Sequence, residues 1–137
     1  MFEEIWKDIK GFEGLYQVSN LGRVKSMSRQ KKHSYNSVAQ LKEKILTPIN
    51  ICGYHRVILR KNNKAHNKFI HRLVAEAFID NINNYNEVNH KDENKTNNRV
   101  DNLEWCSHKY NINYGSGNIK RSIKEKITKR GDCFVYW

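Results

Sequence analysis

His90 lies in the run Val88-Asn-His-Lys-Asp-Glu-Asn-Lys95, where most of the surrounding side chains are amides, carboxylates or amines. Neutral imidazole can accept a proton near neutral pH. Carboxamide and carboxylate oxygens are the donors that a hard divalent cation takes. Asn89 precedes the histidine, and Asn102 and Asn111 follow it within one short stretch. Together these residues suit hydrolysis of a phosphodiester. That reaction needs an activated water, charge relief at the phosphate and help for the departing 3′ oxygen. His90 is the candidate general base, and Asn89 and Asn111 are candidate oxygen ligands of one divalent ion. Asn102 is a candidate brace that orients its loop through backbone hydrogen bonds.

Local elements must hold these groups. Glu87–His90 reads as a short strand, Lys91–Asp101 as a long polar loop and Asn102–Cys106 as a second strand. Ser107 is a good N-cap for a helix over His108–Tyr114, with Gly115 as its stop. That helix places Asn111 one turn in, facing back toward Asn89. His108 reads as an exposed helix residue in preference to a phosphate or metal contact, and Trp105 as core. Asp92, Glu93, Asp101 and Glu104 add negative field, without a ligand role assigned to any of them. Upstream, Arg72–Asp80 has the spacing of a short amphipathic helix, with Leu73, Val74, Ala77 and Phe78 on its apolar face. His71, at its start, reads as structural or phosphate-contacting.

Residues 15–19 and 23–27 alternate about an Asn20-Leu-Gly22 turn and predict a β-hairpin, with Trp6, Phe12 and Tyr16 as its core. Residues 28–47 are polar and basic with little periodicity, which predicts a mobile linker ending at Pro48. Residues 54–60 predict a strand, 61–64 a turn and 65–70 a second strand. Beyond Gly115 the sequence suggests a hinge over 115–117, a basic segment over 118–130 that becomes helical on DNA, and a terminal strand over 131–137.

Net charge is +11, and hydrophobic residues make up only 38 % of the 137. Residues 21–70 carry twelve basic groups against Glu43 alone, whereas residues 71–104 carry four basic against seven acidic. A polyanion suits the basic flank and a cation the acidic middle. Candidate phosphate contacts are Arg23, Lys25, Arg29, Lys31, Lys32, Arg56, Arg60, Lys61 and Lys64, with Lys120, Arg121 and Lys124 in the tail. No apolar run approaches the ~18 residues of a membrane span, and the first ten residues do not resemble a secretory signal. Cys52, Cys106 and Cys133 are too far apart for a Cys-x-x-Cys knuckle, which argues against a zinc adaptor. They favour a reducing compartment, with Cys52 and Cys106 as small core residues.

His90, Asn102 and Asn111 have the spacing of the HNH endonucleases, with asparagine in place of the final histidine. Val88–Lys95, Asn97-Asn-Arg-Val-Asp-Asn-Leu-Glu-Trp105 and Phe69-Ile-His-Arg-Leu-Val-Ala-Glu-Ala-Phe78 resemble the phage and intron-encoded HNH homing endonucleases. Glu4–Ile9 and Gly14–Val24 resemble the nuclease-associated modular motif that accompanies them. The resemblance implies an α+β fold, with a ββα-metal (HNH, His-Me finger) core preceded by small antiparallel β-hairpin modules. The expected division is a β-rich DNA-binding module and basic linker over 1–48, the nuclease core with its preceding hairpin and helix over 49–116, and a basic tail over 117–137.

The resemblance also implies catalytic roles for His90 and Asn102, and one divalent ion on Asn89 and Asn111, Mg2+ before Mn2+. The expected partner is double-stranded DNA, bound by a monomer in the cytoplasm of a bacterial host. Related nucleases often carry Asp before the catalytic histidine. Asn89 therefore leaves open an alternative, an HNH-fold DNA-binding protein that cuts weakly or not at all.

Overall fold

A computed structural model describes residues 3–115. The tail, with Lys120, Arg121, Lys124 and the expected hinge, helix and terminal strand, lies outside the described residues.

The chain opens with β1 (Trp6–Asp8), β2 (Tyr16–Ser19) and β3 (Val24–Ser26), antiparallel neighbours in that order. The expected hairpin is therefore present as β2–β3. Its turn is closed by the Ser19 amide donating to the Arg23 carbonyl at 2.8 Å, and Ser19 Oγ accepts from the amides of Leu21 and Arg23. Val18 and Val24 face the core, at 0 and 1 % exposure.

The segment read as a linker is a β-ribbon. β4 (Arg29–Ser34) pairs with β5 (Ser37–Leu41), and β6 (Lys44–Ile45) then returns along β3. Most of the ribbon's side chains are exposed, so no apolar face imposes the alternation from which a strand is read. Backbone pairing holds it nonetheless.

Next come β7 (Ile49–Ile51), β8 (Tyr54–Lys61) and β9 (Lys64–Phe69), a three-stranded antiparallel sheet. Asn62 and Asn63, both at positive φ, make the tight β8–β9 turn. Cys52 sits half-buried in the β7–β8 turn at φ 55°, away from the core, whereas Cys106 is buried as expected. Burial pushes the Cys106 thiol up to about 12, so it serves as a small apolar side chain.

β9 runs directly into α1 (Ile70–Phe78), two residues earlier than the sequence suggests. Phe69 at the N-cap offers no side-chain hydrogen bond, so no polar residue marks the start. Ile70, His71, Leu73, Val74 and Ala75 are buried.

β10 (Glu87–His90), a 3₁₀ turn (Val100–Asn102), β11 (Leu103–Cys106) and α2 (His108–Asn113) complete the described chain. Ser107 caps α2 by accepting from the Tyr110 amide. One apolar cluster joins Val18 and Val24 of the first sheet to Val57 and Leu59 of β8, to α1, and to Val88 and Leu103 of the last hairpin. The N-terminal module is therefore packed into the same core as the hairpin that carries His90. Among the described residues, no helix is long and apolar enough to cross a membrane.

Candidate active site

The β10–β11 register pairs Glu87 with Cys106, Asn89 with Glu104 and His90 with Leu103. Side chains alternate along a strand, so Glu87 and Asn89 share one face while Val88 and His90 share the other. The two faces have different surroundings.

On the first face, Asn89 Nδ2 donates to Glu104 Oε1 at 2.9 Å, and Asn111 Nδ2 donates to Glu87 Oε2 at 2.8 Å. Asn89 and Asn111 are thereby brought to one side of the hairpin, beneath α2. In each, the amide nitrogen is engaged by a carboxylate, leaving the Oδ1 oxygen to accept. Glu87 Oε1 also meets His108 Nδ1, and Glu104 Oε1 accepts from the Tyr110 hydroxyl. His108 is exposed, as expected, but its partner is Glu87. Two neutral hard oxygens with two carboxylates behind them fit a divalent ion that keeps several waters, as Mg2+ does. Among the described residues, no group of three or more His, Cys, Asp or Glu side chains is arranged to hold a metal. On this face the oxygens left open by those bonds are Asn89 Oδ1 and Asn111 Oδ1.

On the second face, His90 is 6 % exposed, its ring centroid 5.2 Å from that of His71 and 6.0 Å from that of Tyr54. Burial pushes its imidazole below the ordinary histidine range, while the bond to Asn98 and the charge of Asp92 act the other way. The ring is therefore neutral at neutral pH. Its Nε2 lies 2.9 Å from Asn98 Oδ1. A carboxamide oxygen only accepts, so this contact places the proton on Nε2 and the lone pair on Nδ1. His71 is fully buried, and neither ring nitrogen has a hydrogen-bond partner among the described residues. Burial takes its imidazole down to about 3, so it serves as a neutral packing group against Tyr54, Phe69 and His90.

Asn102 is 8 % exposed and ties the long loop to itself. Its Nδ2 donates to the Asn97 carbonyl and to Asp92 Oδ1, and its Oδ1 accepts from the Asp92 amide. Asp92 also accepts from the Asn94 amide and from Asn97 Nδ2, and these bonds hold its carboxyl below the usual range. The end of α2 is fastened to the same loop by the Tyr114 hydroxyl, which donates to the Lys91 carbonyl.

The basic candidates divide by their partners. Arg23 pairs with Glu4, Lys25 pairs with Glu43, and Arg29 donates to the carbonyls of Leu15 and Met27 and to Ser26 Oγ. Lys61 donates to the Gly11 carbonyl at 2.6 Å. Lys31 and Lys32 on the ribbon, and Arg60, Lys61 and Lys64 at the β8–β9 turn, are exposed, while Arg56 is half-buried.

The sequence assigns no role to Asn98 or Glu87, and to Glu104 only a contribution of negative field. The two glutamates were within reach of the strand pattern. Once Glu87–His90 and Leu103–Cys106 pair, Glu104 falls opposite Asn89, and Glu87 lies two residues before Asn89 on its face. Asn98 is set by the loop's path, for which no periodicity exists.

Comparison with known proteins identifies a NUMOD4 motif over residues 4–60 and an HNH endonuclease domain over residues 68–112. The chain is 40 % identical to DNA endonuclease I-HmuI of Bacillus phage SP01, over 90 % of this chain and 66 % of that protein. It is 36 % identical to the uncharacterized HNH endonuclease L245 of Acanthamoeba polyphaga mimivirus, over 89 % of this chain and 33 % of the relative. A solved structure of DNA binding and cleavage by the HNH homing endonuclease I-HmuI matches with a TM-score of 0.65 at 39 % identity. That match covers 86 % of this chain and 59 % of the other. The chain thus spans about two thirds of the phage relative and a third of the viral one. The α+β architecture, the two matched segments and these relatives agree, and the chain belongs to the HNH endonucleases that carry an N-terminal NUMOD4 motif.

Proposed function

We propose that this chain is a divalent-metal-dependent endonuclease that hydrolyses phosphodiester bonds in double-stranded DNA, of the homing type carried by a phage or mobile element. The observation that carries this reading is the two-faced β10–β11 hairpin. A buried neutral imidazole lies on one side of the strand, and two carboxamides backed by glutamates lie on the other. Asn89 and Asn111 would hold one divalent ion, Mg2+ as the expected one and Mn2+ as the alternative. A bound divalent ion supplies positive charge to a phosphate oxygen and to the leaving 3′ oxygen. His90 takes the proton of the attacking water through Nδ1. In-line displacement needs nucleophile and leaving group on opposite sides of phosphorus, which suits a base and the two ligands of one metal ion on opposite strand faces. Asn102 keeps the loop closed while this happens.

Lys31, Lys32, Arg56, Arg60 and Lys64 would grip phosphates. Arg23, Lys25, Arg29 and Lys61 would do so only by exchanging their present partners. We infer a monomer acting in the cytoplasm of a bacterial host.

Asn89 favours the second reading, a DNA binder that does not cut, because a neutral ligand holds a hard cation less firmly than a carboxylate does. Glu104, hydrogen-bonded to that amide, supplies negative charge one bond further out. Supercoiled plasmid carrying the native target, incubated with Mg2+, Mn2+ or chelator beside a His90→Ala control, separates the two. Metal-dependent nicking that the variant lacks is the expected result. DNA bound at low salt yet never cut with either ion would leave the binder standing.

A further inference from the structure

The turn between β2 and β3 touches the loop that serves His90. Gly22 has φ +86°, and a Cβ built on it would lie 2.9 Å from both the Cβ and the backbone oxygen of Asn98. Beside this contact, the Val100 amide donates to the Asn20 carbonyl at 2.9 Å. Asn20 is itself anchored, with Oδ1 accepting from the Ile5 amide and Nδ2 donating to the Glu3 carbonyl. Asn98 is 4 % exposed, and its Oδ1 lies 2.9 Å from Nε2 of the His90 ring. A short line of packed groups therefore runs from the N-terminal module, through Asn98, to the imidazole.

We propose that Asn98 is a positioning residue for His90, and that the Asn20–Gly22 turn of the NUMOD4 module sets its seat. The module then belongs to the catalytic apparatus as well as to the DNA-gripping surface. The proposal rests on the reading of His90 as general base. Neutral imidazole has two tautomers, and only the one with its lone pair on Nδ1 can accept a proton there. Asn98 selects that tautomer by accepting from Nε2. The backbone of Asn98 can lie where it does because residue 22 has no Cβ and adopts a left-handed φ.

The test uses the full chain with histidine 15N label. Imidazole 15N shifts, plasmid nicking, DNA affinity and thermal unfolding are measured for wild type, Asn98→Ala, Gly22→Asn and the double variant. Asparagine tolerates a left-handed backbone but brings the Cβ. Wild type should show His90 as the Nε2–H tautomer alone. Asn98→Ala should show both tautomers and cut about 10- to 100-fold more slowly, with DNA affinity within about twofold of wild type. Gly22→Asn should shift the His90 signals and slow cutting about tenfold, and the double variant should be no slower than Asn98→Ala, because both act through one contact.

Asn98→Ala with a single tautomer and full rate would overturn the positioning role. Wild-type spectrum and rate in Gly22→Asn, or losses that multiply in the double variant, would overturn the role of the turn. If Gly22→Asn loses cooperative unfolding, Asn20→Ala, which loosens the turn without adding an atom, takes its place with the same expectations. A His90→Ala control that still cuts would sink the general-base reading, while the His90 spectra would still decide the positioning.

Discussion

The two faces of the β10–β11 hairpin do opposite things with charge. Beneath α2, Glu87 and Glu104 gather two amides, a histidine and a tyrosine hydroxyl in a polar setting. Toward α1, His90 packs on His71 and Tyr54, with one neutral hydrogen bond to Asn98. Burial of His90 favours its neutral ring. In the proposed mechanism, one strand then separates a cation-directed site from an unprotonated base on the adjacent residues Asn89 and His90.

Perturbing each face should then have separable effects. The largest is expected from His90→Ala, a fall of about 10²- to 10⁴-fold in nicking rate, read by plasmid time courses. On the other face, Glu104→Gln should weaken Mn2+ binding roughly 10- to 100-fold, measured by titration calorimetry without DNA, and leave thermal unfolding little changed. An unaltered Mn2+ affinity would detach Glu104 from the metal site.

A smaller effect concerns His71. Its folded pKa is lowered to about 3 from the ordinary 6.5, so below pH 6.5 the unfolded ring binds a proton that the folded ring refuses. Stability should be full above pH 6.5 and fall toward pH 3, by up to about 1.4 kcal/mol per pH unit from this group. His71→Phe should flatten that slope in chemical denaturation at pH 5 and 7. An unchanged slope would mean that another group sets it. Smallest, Lys31→Ala or Lys32→Ala should each lower the slope of log affinity against log salt by about 1, and do little to the nicking rate at saturating protein.

Much of the frame around this site was legible because its elements carry local signals. Ser107 announces α2, Asn20-Leu-Gly22 announces a hairpin, and the spacing of His90, Asn102 and Asn111 carries the resemblance to the HNH endonucleases. Where the reading failed, the local signal was missing. The β4–β5 ribbon buries almost nothing, so Lys31 and Lys32 read as linker. Helix α1 begins at Ile70 without a polar cap, and Cys52 sits in a left-handed turn that its identity does not advertise. Asn98 depends on Gly22, more than seventy residues away in sequence. No pattern within either segment encodes that contact.

The central claim is that base and metal ligands occupy opposite faces and that neither is needed to hold DNA. Its most direct test sets His90→Ala beside Asn111→Ala, following plasmid nicking in Mg2+ and duplex affinity by fluorescence anisotropy in the same buffer. Both variants should lose nicking and keep affinity within about twofold of wild type. Survival of nicking in either variant, or an affinity that falls in step with the cutting rate, would contradict the account.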